Sequence, residues 1–267
     1  MATATAPKAS TGTTAASSAR ACCLPRGAAE PAIANPASPV AASAAPLPPA
    51  GADRPIALPG GPFWMGSDRG EGPPADGEGP RRQVVLSPFR IAATVVTNAG
   101  FAAFVRATHY VTDAERLGRS FVFHLQLDPK AREAAIVPAG LPWWRIVDHA
   151  CWQRPEGPGS QVHARPDHPV VHVSWNDAQA YCAWAQGSLP TEAQWEYAAR
   201  GGLQDARLPW GDEVLGPDGE PRCNIWRGRF PDQPEPGWQP APMRADAFET
   251  NPFGLYNACG NVWEWCA

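Results

Sequence analysis

The sequence predicts an α+β fold of irregular, loop-rich build, and three observations carry that expectation. Twelve tryptophans and 32 prolines stand among 267 residues, with 25 glycines joining them. The tryptophans lie beyond Ala57, so large aromatic contacts rather than long ladders or helices must hold that part together. Short alternating runs sit beside short helical patterns, each fenced by Gly, Pro or a capping residue.

The elements follow in order. Residues 1–53 are mostly Ala, Pro, Ser and Thr, without one aromatic residue. Such a segment buries too little apolar surface to offset its ordering entropy, which predicts a disordered tail and a folded domain over 54–267. Ile56, Leu58, Phe63 and Met65 give a first strand pattern, and Arg82 to Ile91 a second, with a Gly-, Pro- and charge-rich loop over 68–82 between them. Thr97 is placed to cap a helix NAGFAAFVRAT whose Phe101, Phe104 and Val105 share a face. Ser120 to Leu127 reads as a strand, and 128–166 shows little regular pattern. His168 to Trp175 reads as a strand entering a helix capped by Ser174, with Asp177 as capping-box partner and Gly187 as its end. Thr191 with Gln194 starts the next helix and Gly201 ends it. No helix is expected after Gly202.

Bulk properties exclude several classes. The net charge is -4 and the pI about 5.9, whereas nucleic-acid binders carry a basic stripe. No apolar run reaches membrane-spanning length, and no secretory signal is visible, so the expected location is cytoplasmic. Seven cysteines, Cys22, Cys23, Cys151, Cys182, Cys223, Cys259 and Cys266, form no CxxC pair. The odd number argues for reduced thiols rather than a disulfide framework. His163, His168 and His172 cluster in sequence, but no carboxylate completes a two-His-one-carboxylate arrangement at helical spacing. His172 reads as a satisfied core residue.

The order of several strings says more than any one of them. PGGPFWMGS (59–67) precedes DGEGPRRQVVLSPF (76–89), then VTNAGFAAFVRATHYVTDAERLGRSFVF (96–123) and WWRIVDHACWQRPEGPGS (143–160). DHPVVHVSWNDAQAYCAWA (167–185), LPTEAQWEYAARGG (189–202), LPWGDE (208–213), NIWRGRFP (224–231) and GLYNACGNVWEW (254–265) complete the series. In that order they resemble the formylglycine-generating enzyme (sulfatase-modifying factor) family from about Pro55 to the last residue. The resemblance implies a loop-rich fold related to C-type lectin domains. It implies a monomer that uses oxygen to oxidise one cysteine of a sulfatase Cys-x-Pro-x-Arg segment to formylglycine. It also implies copper(I) on two cysteines, sensible because thiolates are soft ligands.

Those two cysteines lie in the family beyond GNVWEW, in a Gly-Ser-rich segment, and none of the seven here sits in their motif. The resemblance therefore assigns no catalytic residue to this chain. The expectation is an inactive, C-terminally truncated copy; the alternative is a non-catalytic, calcium-stabilised, lectin-like peptide-binding module. For the substrate peptide it points to Ser120 and Trp152, while Arg119 stands where an acid is usual. It implies a first calcium site from Asn257, Glu264 and the carbonyls of Gly260 and Val262, hard oxygen donors suited to that ion. A second would use Asn224 and the carbonyls of Ile225 and Trp238. There Pro236 replaces the usual Asp, leaving Glu235 as a substitute.

Overall fold

The computed structural model describes residues 55–267; the tail expected over 1–53 lies outside them. The first two strand patterns each divide in two. β1 (Ile56–Leu58) and β2 (Gly61–Met65) pair antiparallel with β4 (Phe89–Ile91) and β3 (Arg82–Leu86) respectively. The breaks face each other. Pro88 has no N–H to give a ladder, and Gly60 lies at φ 68 with its Cα against the Leu86 and Ser87 backbone, where no side chain fits.

α1 (Asn98–Thr108) is capped by Thr97, whose Oγ1 accepts from the Gly100 N–H at 3.2 Å. Its other free N–H groups find carbonyls from a distant segment: Asn98 N–H donates to His168 and Ala99 N–H to Pro166, at 2.8 and 2.9 Å. These bonds dock the 166–170 segment on the helix start.

Two helices were not expected. α2 (Asp113–Leu117) begins with a capping box between Thr112 and Glu115. The sheet of β5 (Arg119–Phe123) and β6 (Trp144–Asp148) brackets the second, α3 (Pro129–Ala134), capped by Asp128. β5 stops short of the expected Leu127 because the chain tightens into a 3₁₀ turn over His124–Gln126.

The strand expected at 168–173 does not form. His172 lies at φ 59, a left-handed conformation no strand accommodates. α4 (Trp175–Trp184) has its expected Ser174–Asp177 capping box, but the left-handed residue that closes it is Gln186 rather than Gly187. α5 (Glu192–Arg200) starts at Thr191 and ends at Gly201 as expected. Beyond it, the described residues hold no helix, only a short hairpin of β7 (Gly228–Arg229) and β8 (Gln233–Pro234).

Three small cores replace one large one. Leu58, Tyr197, Ala198 and Leu255 join β1, α5 and the 251–255 turn. Phe101, Phe104, Trp152 and Val162 fill the space between α1 and α4. Val122, Leu127, Val147 and Ala150 lie under the β5–β6 sheet. Phe123, Trp143, Trp144, Trp226, Phe230 and Trp238 form an aromatic chain that ties this sheet to the 224–238 region. No helix among the described residues is long and apolar enough to cross a membrane.

Candidate functional site

The antiparallel register of β5 and β6 sets one edge of the site. It places Ser120 opposite Val147 and Arg119 opposite Asp148. Ser120 is half-buried, while Arg119 and Asp148 are exposed. A carboxylate therefore stands across the strand from the position where the family resemblance leads one to expect an acid.

His172 reaches this edge from the 166–173 segment. Its Nε2 lies 2.8 Å from the Pro155 carbonyl and its Nδ1 2.8 Å from Ser120 Oγ. A carbonyl can only accept, so the ring proton sits on Nε2. Nδ1 is then an acceptor and the Ser120 hydroxyl donates to it. The serine oxygen is left with its lone pairs free to accept from a ligand N–H. Burial pushes the His172 imidazole below its ordinary pKa, against smaller opposing effects of the Pro155 carbonyl and Glu156. The ring is therefore neutral at pH 7, as this bonding pattern requires. A side-chain carboxylate on Nε2 would make a nucleophile triad, and a carbonyl does not. The arrangement orients a hydrogen bond rather than activating an attack.

The loop that carries Pro155 is itself fixed. Glu156 and Arg165 form two parallel bonds of 2.7 Å each. Burial would raise the Glu156 carboxyl, but the Arg165 fork outweighs it and holds the group below its usual range. Trp152, in the same loop, is only 3% exposed and packs edge-to-face on Phe101 at 5.3 Å. It does not present an open wall to a peptide; it backs the loop from within the core. His163 is exposed, and the three clustered histidines do not converge: among the described residues no three His, Cys, Asp or Glu side chains could share a metal.

A second cluster gathers the residues to which the resemblance gives calcium. Asn257 is buried, at φ 47, with its Nδ2 donating to the Ala245 carbonyl at 2.8 Å. Its Oδ1 is buried without a hydrogen-bond partner. Gly260 and Asn261 are also left-handed, so the turn curls its carbonyls about a small radius. The orphaned Asn257 oxygen is a hard donor of the kind calcium takes, while the Gly260 carbonyl accepts from the Val262 N–H at 3.0 Å. Glu264 accepts from Trp195 Nε1 at 3.1 Å. Desolvation pushes its carboxyl up to about 7 although the side chain as a whole is exposed.

The second set fits less well. Asn224 Nδ2 donates to the Ala241 carbonyl and to Asn261 Oδ1, at 2.9 and 3.0 Å. Glu235, the substitute for the missing Asp, is held by Arg227 through bonds of 2.7 and 3.2 Å. Trp238 packs on Trp226, and Ile225 is half-buried beside it in the chain.

The two sets adjoin. Asn261 N–H donates to the Asn224 carbonyl at 2.8 Å, and Asn261 Oδ1 also accepts from Met243 N–H at 2.8 Å. Asn261 thus stitches three segments. Cys259 sits beside this stitch, next to Gly260, whose Cα packs on the Cys223 side chain. The neighbouring Cys223 draws the Cys259 thiol below its usual range and is itself held above its own.

Residues 41–267 match the sulfatase-modifying factor enzyme 1-like domain. The formylglycine-generating enzyme of Thermomonospora curvata is 57% identical over 215 residues, covering 79% of this chain and 70% of that protein. A mouse protein named inactive C-alpha-formylglycine-generating enzyme 2 is 46% identical over 79% of this chain and 68% of its own length. Among solved structures, PvdO from Pseudomonas aeruginosa aligns with a TM-score of 0.53 at 26% identity, over 80% of this chain and 69% of that one.

Proposed function

Because this chain belongs to the sulfatase-modifying factor family, we propose that it recognises a sulfatase polypeptide at a Cys-x-Pro-x-Arg segment, the segment whose cysteine becomes formylglycine. The observation that carries this reading is the Ser120–His172–Pro155 relay. It fixes a half-buried hydroxyl on the β5 strand, whose oxygen keeps lone pairs to accept from a peptide N–H. Trp152 stabilises the loop behind it, and Asp148 offers the carboxylate for the substrate arginine in place of the acid that Arg119 replaces.

Oxidation of the substrate thiol requires copper(I) on two sulfurs in this family. Among the described residues, no two thiols form such a pair at the Ser120 edge. Cys259 lies in the 257–261 turn, and Cys266 belongs to the 263–267 segment, where its carbonyl accepts from Trp175 Nε1 at 2.9 Å. This polypeptide therefore binds the segment without oxidising it. The experiment is calorimetric titration with a Cys-x-Pro-x-Arg peptide, followed by copper(I), a thiol and oxygen with mass spectrometry for the aldehyde. Binding without aldehyde is expected. Absence of binding ends the recognition reading, and aldehyde above a no-protein control ends the non-oxidising part. Asp148→Asn should weaken the arginine peptide about five- to tenfold, the range for one charge-assisted bond at a partly exposed site. A citrulline peptide should be indifferent to the change.

A second reading, a non-catalytic, calcium-stabilised, lectin-like peptide-binding module, is favoured by the relative named inactive at 46% identity. Both readings place calcium at Asn257, Gly260, Val262 and Glu264, supported by the orphaned Asn257 oxygen. Calcium at a hundredfold excess over its Kd should raise the melting midpoint by about 5–10 °C, reversibly with chelator, and magnesium should not. An unchanged midpoint would remove calcium from both. Asn224, Ile225 and Trp238 remain the candidates for a second, weaker site. A cytoplasmic monomer completes the proposal.

A further inference from the structure

We infer that the groove between the 203–210 loop and the 250–254 turn is a docking site for the chain's own proline run, Pro46-Leu47-Pro48-Pro49. The groove has a volume of about 600 Å³ and is lined by Leu203, Pro209, Trp210, Pro252, Phe253 and Gly254, which is the size of a ligand pocket. Its walls are preset. Asn251 Nδ2 donates to the Ala198 and Ala199 carbonyls at 2.8 and 3.0 Å, and its Oδ1 accepts from the Phe253 and Leu255 N–H groups at 3.0 Å each. The turn is thereby clamped to the end of α5. In the 203–210 loop, the Trp210 indole N–H is spent on the Glu213 carbonyl at 2.8 Å, so this residue offers a partner only its ring. Arg222 lies over that ring at 5.5 Å and donates to Glu249 through one nitrogen at 3.1 Å. Its remaining guanidinium N–H groups can serve peptide carbonyls.

Aromatic rings beside spare donors are the surface that proline-rich segments take. Such a segment stacks its rings on aromatic side chains, keeps its carbonyls free to accept, and loses little entropy because φ is already fixed. The occupant is identified by where the described chain begins. Pro55 is exposed, and Ile56 beside it packs with Phe253 against one core cluster. A side chain at Gly254 would meet Ile56 Cδ1 at 3.3 Å, so the chain enters the fold at the edge of the groove. Five residues, 50–54, separate Pro49 from Pro55, a span of up to about 20 Å. Pro46 to Pro49 is the densest proline run in residues 1–54. On so short a tether its local concentration is on the order of millimolar, and weak stacking is enough to seat it. The inference is independent of the peptide-recognition reading, which uses the Ser120 edge.

The test is a photocrosslink in the full chain carrying Leu47→p-benzoylphenylalanine. Equal amounts of ordinary and nitrogen-15-labelled chain are mixed and irradiated, and the linked peptides are mapped by mass spectrometry. Links from position 47 to the 203–210 or 250–254 peptides, within one chain, are expected. Trp210→Ala should cut their yield about fivefold, the effect of removing one aromatic anchor. Replacing the prolines (Pro46→Ala, Pro48→Ala and Pro49→Ala together) should cut it by a similar factor. Absence of links, or links scattered over the surface, overturns the inference. Links between the two isotopic forms would make a second copy the occupant and also overturn it. An unchanged yield after the proline replacements would show that the benzophenone rather than the proline run docks, with the same consequence. Neither the wild-type map nor the proline replacements touch a described residue, so poor folding of Trp210→Ala does not blunt the test.

Discussion

Replacing Asp177 with alanine is expected to cost about 3 kcal/mol. Asp177 is fully buried, yet its carboxylate satisfies three donors from three places. Ser174 N–H donates at 2.8 Å, Asp113 N–H at 3.1 Å and the Tyr110 hydroxyl at 3.0 Å. Two of these are the free N–H groups of neighbouring helix starts, so one side chain closes α4 and anchors α2 beside it. Alanine leaves two buried amides and a phenol unsatisfied, each worth about 1 kcal/mol. The stability of a domain this size is about 5–15 kcal/mol, and the melting midpoint should fall by about 6–12 °C.

Asn is the informative control. Its oxygen can serve one side, but its NH2 must face a donor on the other, so Asp177→Asn should lose roughly half as much. Tyr110→Phe removes one donor and one partner together and should cost about 1 kcal/mol. Urea titration of the three variants reads all of this. An Asp177→Ala loss below about 1 kcal/mol would mean that water or a backbone shift satisfies the donors, and the anchoring account fails.

Local chemistry was readable wherever it is self-contained. Thr97, Ser174 with Asp177, Thr191 with Gln194, and Gly201 each announce a helix end by side chains a few residues apart, and each sits where expected. Thr112 with Glu115 gives the same signal for α2, but a five-residue helix is too short to show an apolar period. Non-local features were not readable. The Ser120–His172 bond joins residues 52 apart, and the left-handed turn at His172 that makes it possible has no Gly or Asn to mark it. Periodicity favoured a strand there because Val170, Val171 and Val173 are β-formers. The burial of Trp152 was open to either reading, since a large aromatic side chain serves a core or a groove equally well. The Asn224–Asn261 contact likewise depends on how the two segments cross, which no spacing rule specifies.

Changing His172 to asparagine should both destabilise the protein and loosen its grip on peptide, with a signature in pH. The position itself tolerates asparagine, the side chain best suited to a left-handed backbone at φ 59, so the backbone should hold. The shorter side chain cannot span from Ser120 to Pro155. Two bonds of 2.8 Å are lost, and the desolvated ring leaves a void, for a total of about 2–3 kcal/mol.

The pH dependence separates this from generic damage. The imidazole's folded pKa lies below its ordinary 6.5, so the unfolded chain binds the proton more readily. Stability is then fully present above about 6.5 and falls as pH drops through the window down to the folded value. Protonation of Nδ1 also abolishes the acceptor for the Ser120 hydroxyl. His172→Asn should flatten this acid slope, leaving the smaller part due to His168, whose pKa burial also lowers. Peptide affinity at pH 7.5 should drop about two- to tenfold, and Ser120→Ala in the His172→Asn background should add little, because both act through one hydroxyl. Parallel acid slopes in wild type and variant would show that the ring does not titrate as a buried neutral base. Additive losses in the double variant would show that Ser120 works without it.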